Sequence, residues 1–169
     1  MILRPATSTD VPTLVAFSRR AFTDAFGHLY APEDLAAFLD EYRAPERFEA
    51  MIADLARAIT VAEDDGIVAG YSTVEFGSGF DSRPEPRPAK PAILGQLYCN
   101  PGGGLGTALL ERAIGAARSR GCDAMQLSVY AENFGAHRFY QRFGFAKVAD
   151  IDFWVGKHRD DEFLYELPL

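Results

Sequence analysis

The chain has 169 residues, a mixed composition and a net charge of −7, enough for one domain with a real core and the wrong sign for nonspecific nucleic-acid binding. No apolar run is long enough to span a bilayer and Met1-Ile-Leu-Arg-Pro5 lacks a signal-peptide pattern, so the expectation is a cytoplasmic protein with no membrane partner. Cys99 and Cys122 make neither a disulfide framework nor a metal-ligand spacing, and each reads as a small apolar residue; no metal is expected.

Met1 to Thr7 reads as a short strand ended by Pro5. Thr9 and Asp10 can cap a helix that carries Leu14, Val15, Phe22 and Phe26 at helical spacing and stops near Gly27. A second helix runs from Pro32 to about Tyr42, and a third starts at Pro45. Ile59 to Glu63 is a strand, Asp64-Asp65-Gly66 a hairpin turn and Ile67 to Phe76 the returning strand. Gly77 to Pro91 holds four of the ten prolines and reads as an exposed, mobile connection within one domain spanning residues 1–169.

The strand Ile93 to Cys99 then leads into a helix from about Gly104 to Arg120, ended by Gly121. Ala124 to Val129 alternates as a strand, Asn133 to Arg142 is a short helix closed by Gly144, and Ala146 to Asp152 and Glu162 to Leu167 are closing strands. Helices alternate with strands, but the hairpin makes part of the sheet antiparallel. The fold class is therefore α/β or α+β with a mixed sheet.

Three consecutive glycines, Gly102-Gly103-Gly104, join the strand ending at Cys99 to the next helix. Glycines there allow positive φ and close approach of a ligand, and the first N–H groups of the helix lack intrahelical partners, which suits an anion such as a phosphate. Such turns also occur for packing reasons. No Gly-Lys-Ser or Gly-Lys-Thr follows, which argues against a nucleoside-triphosphate loop. Charge is divided along the chain: residues 1–80 carry 13 acidic against 6 basic side chains, residues 101–147 carry 6 basic against 3 acidic. Two ligands of opposite charge would fit that division.

Leu97-Tyr-Cys-Asn-Pro101, then Gly104-Leu-Gly-Thr-Ala-Leu-Leu110, then Leu127-Ser-Val-Tyr-Ala-Glu-Asn-Phe-Gly-Ala-His-Arg-Phe-Tyr-Gln-Arg-Phe-Gly-Phe145 together resemble the GNAT superfamily of N-acetyltransferases. The stretch Phe22 to Tyr42 is similar to the bacterial spermidine and spermine acetyltransferase branch. The resemblance implies a mixed, mostly antiparallel sheet splayed at its centre with helices on both faces, and acetyl-CoA lying between the strand Ile93–Cys99 and the strand Ala124–Val129. It implies cofactor contacts at Leu97, Tyr98 and Cys99 with the pantetheine arm, at Gly102, Gly103, Gly104, Leu105, Gly106 and Thr107 with the pyrophosphate, and at Asn133, Ala136 and Tyr140.

Tyr140 reads by itself as a core aromatic beside Phe139 and Phe143. The resemblance makes it the group that protonates the departing CoA thiolate. Gly102 follows Pro101 directly, so the loop is shorter than the family's usual one, and both a tightened phosphate loop and a chain lacking residues there remain open. Ala92-Ile-Leu-Gly-Gln-Leu97 carries no carboxylate where relatives place a base. Glu75 is the expected replacement, Gln96 could only orient a water, and base catalysis through water or through no single residue stays open. Phe26, Tyr30 and Glu75 are the expected acceptor contacts.

The resemblance implies an acetyl-CoA-dependent N-acetyltransferase using direct attack in a ternary complex, and the subgroup likeness with the acidic first half implies a small primary amine or polyamine as acceptor. The alternatives are a protein or peptide N-acetyltransferase, and a degenerate member that binds acyl-CoA without catalysis. The expected assembly is a monomer or homodimer.

Overall fold

In the computed structural model, which describes residues 1–169, a charged clasp hands the first strand, β1 (Ile2–Pro5), to the first helix, α1 (Val11–Phe26). The Arg4 guanidinium donates to both oxygens of Asp10, at 2.7 and 2.8 Å, and reaches Glu63 as well. Asp10 also accepts the Thr7 N–H at 2.7 Å, closing a capping box around the short 3-10 turn Ser8–Asp10. Hydrogen bonding from Arg4, more than any other cause, holds the Asp10 carboxyl down to about 2. Pro12 sits in the first turn of α1, where its missing N–H removes nothing.

Helices α2 (Pro32–Tyr42) and α3 (Pro45–Ala53) follow, each also opened by a proline. Strands β2 (Arg57–Asp64) and β3 (Ile67–Phe76) form the hairpin expected from Asp64-Asp65-Gly66, with φ of 50° at Asp65 and 76° at Gly66. Two successive positive φ values match the right-handed twist of the paired strands. The chain then continues through β4 (Pro91–Cys99), α4 (Leu105–Ser119), β5 (Ala124–Tyr130), α5 (Phe134–Arg142), β6 (Ala146–Val155) and β7 (His158–Pro168). One seven-stranded sheet takes all the strands in the order β1-β2-β3-β4-β5-β7-β6, antiparallel everywhere except between β4 and β5.

Period-2 alternation sends the two faces of the sheet to different helices. Ile59, Val61 and Tyr71 pack with Leu14 and Phe17 of α1 and Phe48 of α3, while Ala62 and Ala69 meet Leu105 and Leu109 of α4 on the other side. The largest core lies under the rest of α4, where Leu110, Ala113 and Ala117 cover Val74, Leu94 and Met125. On that face His137 ties α5 down: its imidazole bonds the Tyr165 hydroxyl at 2.6 Å and the Ala131 carbonyl at 3.0 Å.

Three expectations need adjustment. Helix α4 opens at Leu105 because Gly104 takes φ of 71°, outside the helical region. The last two strands are longer than expected, since the charged run Lys157–Asp161, which has loop composition, pairs across a hairpin turning at Gly156 (φ 57°) from Val155↔His158 to Asp152↔Asp161. The proline-rich connection 77–90 is also pinned at several points. Arg83 donates to both oxygens of Glu166, at 2.8 and 2.9 Å, the Phe80 N–H donates to Gln126 at 2.8 Å, and Asp123 accepts the N–H groups of Ala89 and Lys90.

The clasp sets a pH dependence. A carboxyl held below its unfolded value adds stability that is present above pH ~4 and is lost as pH falls through about 2. Asp10→Asn should lower stability at neutral pH by about 1–2 kcal/mol, and the gap from wild type should close as thermal unfolding is followed down through that window.

Candidate active site

Strands β4 and β5 are neighbours for only three residue pairs, Pro91↔Ala124, Ala92↔Met125 and Ile93↔Gln126. Beyond them β4 stays with β3 as far as Gly70↔Cys99, and β5 stays with β7 as far as Tyr130↔Glu162. The parting has a local cause. The register between β3 and β4 passes from Val74↔Leu94 to Thr73↔Gln96, leaving Gly95 unopposed in a β-bulge that bends and twists β4. A side chain at Gly95 would begin 2.9 Å from Thr73 Oγ1, so the bulge needs glycine.

A cavity of about 280 Å³ occupies the gap. Leu94 to Tyr98 line one side and Leu127 to Tyr130 the other; Asn133, Ala136 and Tyr140 of α5 close one end. Phe22, Phe26, Tyr30, Arg43 and Phe153 form the opposite wall, where Phe22 and Phe38 stack at 4.7 Å and Phe26 meets Tyr130 edge-on at 6.3 Å. The facing edges of β4 and β5 expose backbone donors and acceptors with no strand to pair them, an arrangement an extended amide-bearing ligand can satisfy.

At the far end of β4 the chain passes Asn100 and Pro101 and turns through Gly102, Gly103 and Gly104 at φ of 92°, 66° and 71°. The first N–H of α4 to find a carbonyl is that of Ala108, bonded to Gly104 at 3.0 Å, so Leu105, Gly106 and Thr107 lack carbonyl partners within the helix. Their positive end of the helix dipole adjoins a second recess, of about 400 Å³, lined by Asn100 to Gly103 and Leu105 and, from the β2–β3 hairpin and the N-terminus, by Asp64, Ile67, Ala69 and Met1. Cys99 lies beside this turn, half-buried; burial raises its thiol and the Gly106 N–H works weakly against that.

Tyr140 packs edge-on against Phe139 at 5.1 Å and Phe145 at 5.6 Å, and burial raises its phenol well above the ordinary value, reinforced by neighbouring Tyr98 and Cys99. It is held protonated at physiological pH. Asn133 caps α5 by accepting the Ala136 N–H at 3.2 Å. Tyr30 donates to Asp160, and Gln96 accepts the Tyr71 hydroxyl at 2.6 Å.

Glu75 stands apart. It pairs with Ile93, the last β4 residue bonded to β5, and so sits at the closed end of the gap, its carboxylate taken by Arg57 at 3.2 Å and by Ser78 at 2.7 Å. It does not line the cavity.

Two charged residues that the sequence reading passed over do line it. Glu162 of β7 is only 8% exposed, and its Oε2 has no partner. Burial raises its carboxyl, the Ser128 hydroxyl opposes that, and the charge of Asp160 adds to it. Arg43, just past α2, is equally buried, its Nε unpartnered and its guanidinium over Phe22 at 5.6 Å and Phe38 at 5.4 Å. On β7 the acidic residues 160, 162 and 166 share one face with fully buried Leu164. That pattern is the available signal: charges in register with a core leucine are inside. Asp160 is met by Tyr30 and by His158 at 3.0 Å, and Glu166 by Arg83 and Gln126; Glu162 alone keeps an oxygen free.

A parallel pair of strands parted by a bulge, with glycine-presented amides beyond the end of one strand and a tyrosine lining the gap, defines an acyl-CoA-dependent acyltransferase fold. The family model described as Acetyltransferase (GNAT) family matches residues 22–145, and the chain belongs to that family, whose cosubstrate is acetyl-CoA. It is 30% identical over 159 residues, 92% of this chain and 96% of the relative, to an uncharacterised N-acetyltransferase of Mycobacterium tuberculosis. A Lactobacillus delbrueckii uncharacterised N-acetyltransferase is 28% identical over 163 residues, 95% of this chain and 92% of the relative. The PaiA N-acetyltransferase of Thermoplasma acidophilum, solved in complex with coenzyme A, superposes with a TM-score of 0.77 at 19% identity, covering 99% of this chain and 98% of that one.

The unpartnered carboxylate has a measurable cost. A carboxyl raised in the folded state favours folding below the ordinary carboxylate range and forfeits that contribution as pH climbs through the raised value. Glu162→Gln should therefore have the higher thermal midpoint above pH ~7, with the advantage fading below pH ~4.

Proposed function

We propose that the chain transfers an acetyl group from acetyl-CoA to a small primary amine by direct attack in a ternary complex. The observation that supports the reading best is the gap between β4 and β5, whose cavity is lined by Tyr140. The separated edges at Leu97, Tyr98 and Cys99 fit the amides of the pantetheine arm, with Asn133 and Ala136 along its other side. The amides from Gly102 through Gly103, Gly104, Leu105 and Gly106 to Thr107 fit the pyrophosphate.

In the reaction a C–N bond forms, the thioester C–S bond breaks, one proton leaves the amine nitrogen and one arrives on sulfur. Tyr140, a cavity-lining phenol that is neutral near physiological pH, supplies the second proton to the thiolate as it departs. Phe26 and Tyr30 form part of the wall that receives the amine, and the cavity volume, at the low end for small-molecule sites, favours a compact acceptor. Glu75 is assigned no proton-transfer role, because its carboxylate is committed to Arg57 and Ser78.

Tyr140→Phe should lower kcat about 100-fold while changing the KM of either substrate little; thiol release from acetyl-CoA in steady state checks this, and an unchanged kcat removes Tyr140 from the chemistry. Gly104→Ala meets no atom within 4 Å but forces a side chain to φ of 71°. It should raise the KM for acetyl-CoA several-fold, through about 1–2 kcal/mol of backbone strain, with a smaller effect on the KM for the amine.

A further inference from the structure

The acceptor end of the cavity holds two opposite charges that do not meet. Arg43 and Glu162 both line it, each 8% exposed, and no ion pair joins them. The guanidinium donates to the Tyr42 carbonyl at 3.2 Å and also hydrogen-bonds Tyr98, leaving Nε without a partner, and the Glu162 carboxylate leaves Oε2 without one. Tyr98 lines the same cavity and feels both: burial raises its phenol most, Arg43 lowers it and the charge of Glu162 raises it. Buried charges persist at such cost when something outside the chain completes them.

We propose that the acceptor is a small zwitterion, an amine that also carries an anionic group such as a carboxylate, docked with its ammonium on Glu162 and its anion on Arg43. This rests on the acetyl-transfer reading above and narrows its substrate class. The planar guanidinium, stacked on Phe22 and Phe38, presents an edge suited to a carboxylate, sulfonate or phosphonate. Glu162 orients the nitrogen and takes one proton from the ammonium, freeing the lone pair that then forms the C–N bond; the second proton leaves nitrogen as the tetrahedral intermediate collapses and the C–S bond breaks, balancing the proton delivered to sulfur, and the proton on Glu162 is released to solvent. A diamine suits this end poorly: its second cation would meet Arg43, while Asp160, the other buried acid nearby, is already bonded to Tyr30 and His158.

The test measures kcat/KM with acetyl-CoA for glycine, β-alanine, γ-aminobutyrate and the protein amino acids, each beside the amine that lacks its carboxylate, together with putrescine, spermidine and a peptide blocked at its C-terminus. Wild-type protein should favour at least one amino acid over its matched amine by about 10- to 100-fold. Arg43→Met should bring that ratio close to one, and Arg43→Lys should restore part of it, with thermal midpoints reporting whether the variants are folded. Glu162→Gln should raise the KM of every acceptor and shift the pH dependence of kcat/KM. Preference for plain amines, polyamines or the blocked peptide, or a ratio that survives in Arg43→Met, overturns the zwitterion assignment while leaving acetyl transfer standing. Turnover of none of these, whether or not calorimetry detects acetyl-CoA binding, removes the acetyl-transfer reading and this inference with it.

Discussion

The structure depends on two strands being kept apart. A parallel pair inside a sheet would ordinarily stay bonded along its length, and β4 and β5 stay bonded for only three residue pairs. Each is committed elsewhere, β4 to β3 and β5 to β7, and the unopposed Gly95 bends β4 away at the point where the two commitments diverge. The sheet thus carries an unsatisfied interior edge without unravelling, because every strand still has at least one full-length partner. An extended thioester cosubstrate laid in the gap, as proposed above, would complete hydrogen bonding that the chain leaves open.

Charge inside the gap follows the same logic. On one face of β7, Asp160 and Glu166 are bonded on several sides, and between them Glu162 is left with a free oxygen. Across the cavity Arg43 is held by aromatic rings, with Nε unanswered. Two of the four buried polar atoms without a partner, Arg43 Nε and Glu162 Oε2, belong to residues that line this cavity, and the other two, Arg57 Nε and Ser72 Oγ, lie outside it. Tyr140 lines the cavity as well, beside Phe139, Phe145 and the half-buried Cys99, where burial raises its phenol above the ordinary value.

Much of this was readable from the letters. The strand Ile67–Phe76, the helices opened by Pro32 and Pro45, and the Asp65-Gly66 turn appear where alternation, proline and positive-φ chemistry put them, because each is decided locally. The glycine turn and the Asn133-capped helix were legible for the same reason. What the sequence concealed is decided by register. Glu75 lies near the end of its strand, but pairing with Ile93 delivers it to the closed end of the gap and to Arg57. Arg43 and Glu162 are distant in the chain and become neighbours of one cavity only through the order β5-β7-β6 and the packing of α2 on β6. The hairpin at Gly156 was hidden by its composition, since strand pairing there overrides a charged run that looks like a loop.

The side chain of Gln126 stands at the last bonded pair of β4 and β5, and it also receives the Phe80 N–H and donates to Glu166 at 2.8 Å, which Arg83 grips from the same connection. The proline-rich crossing from β3 to β4 is thereby sewn to β5 and β7 at the point where the seam begins to open. It works like the knot at the end of a slit in cloth, spreading load so that the tear runs no further. The two strands are thus tied together at their Ile93 and Gln126 root, and their Cys99 and Tyr130 ends carry no such tie to each other.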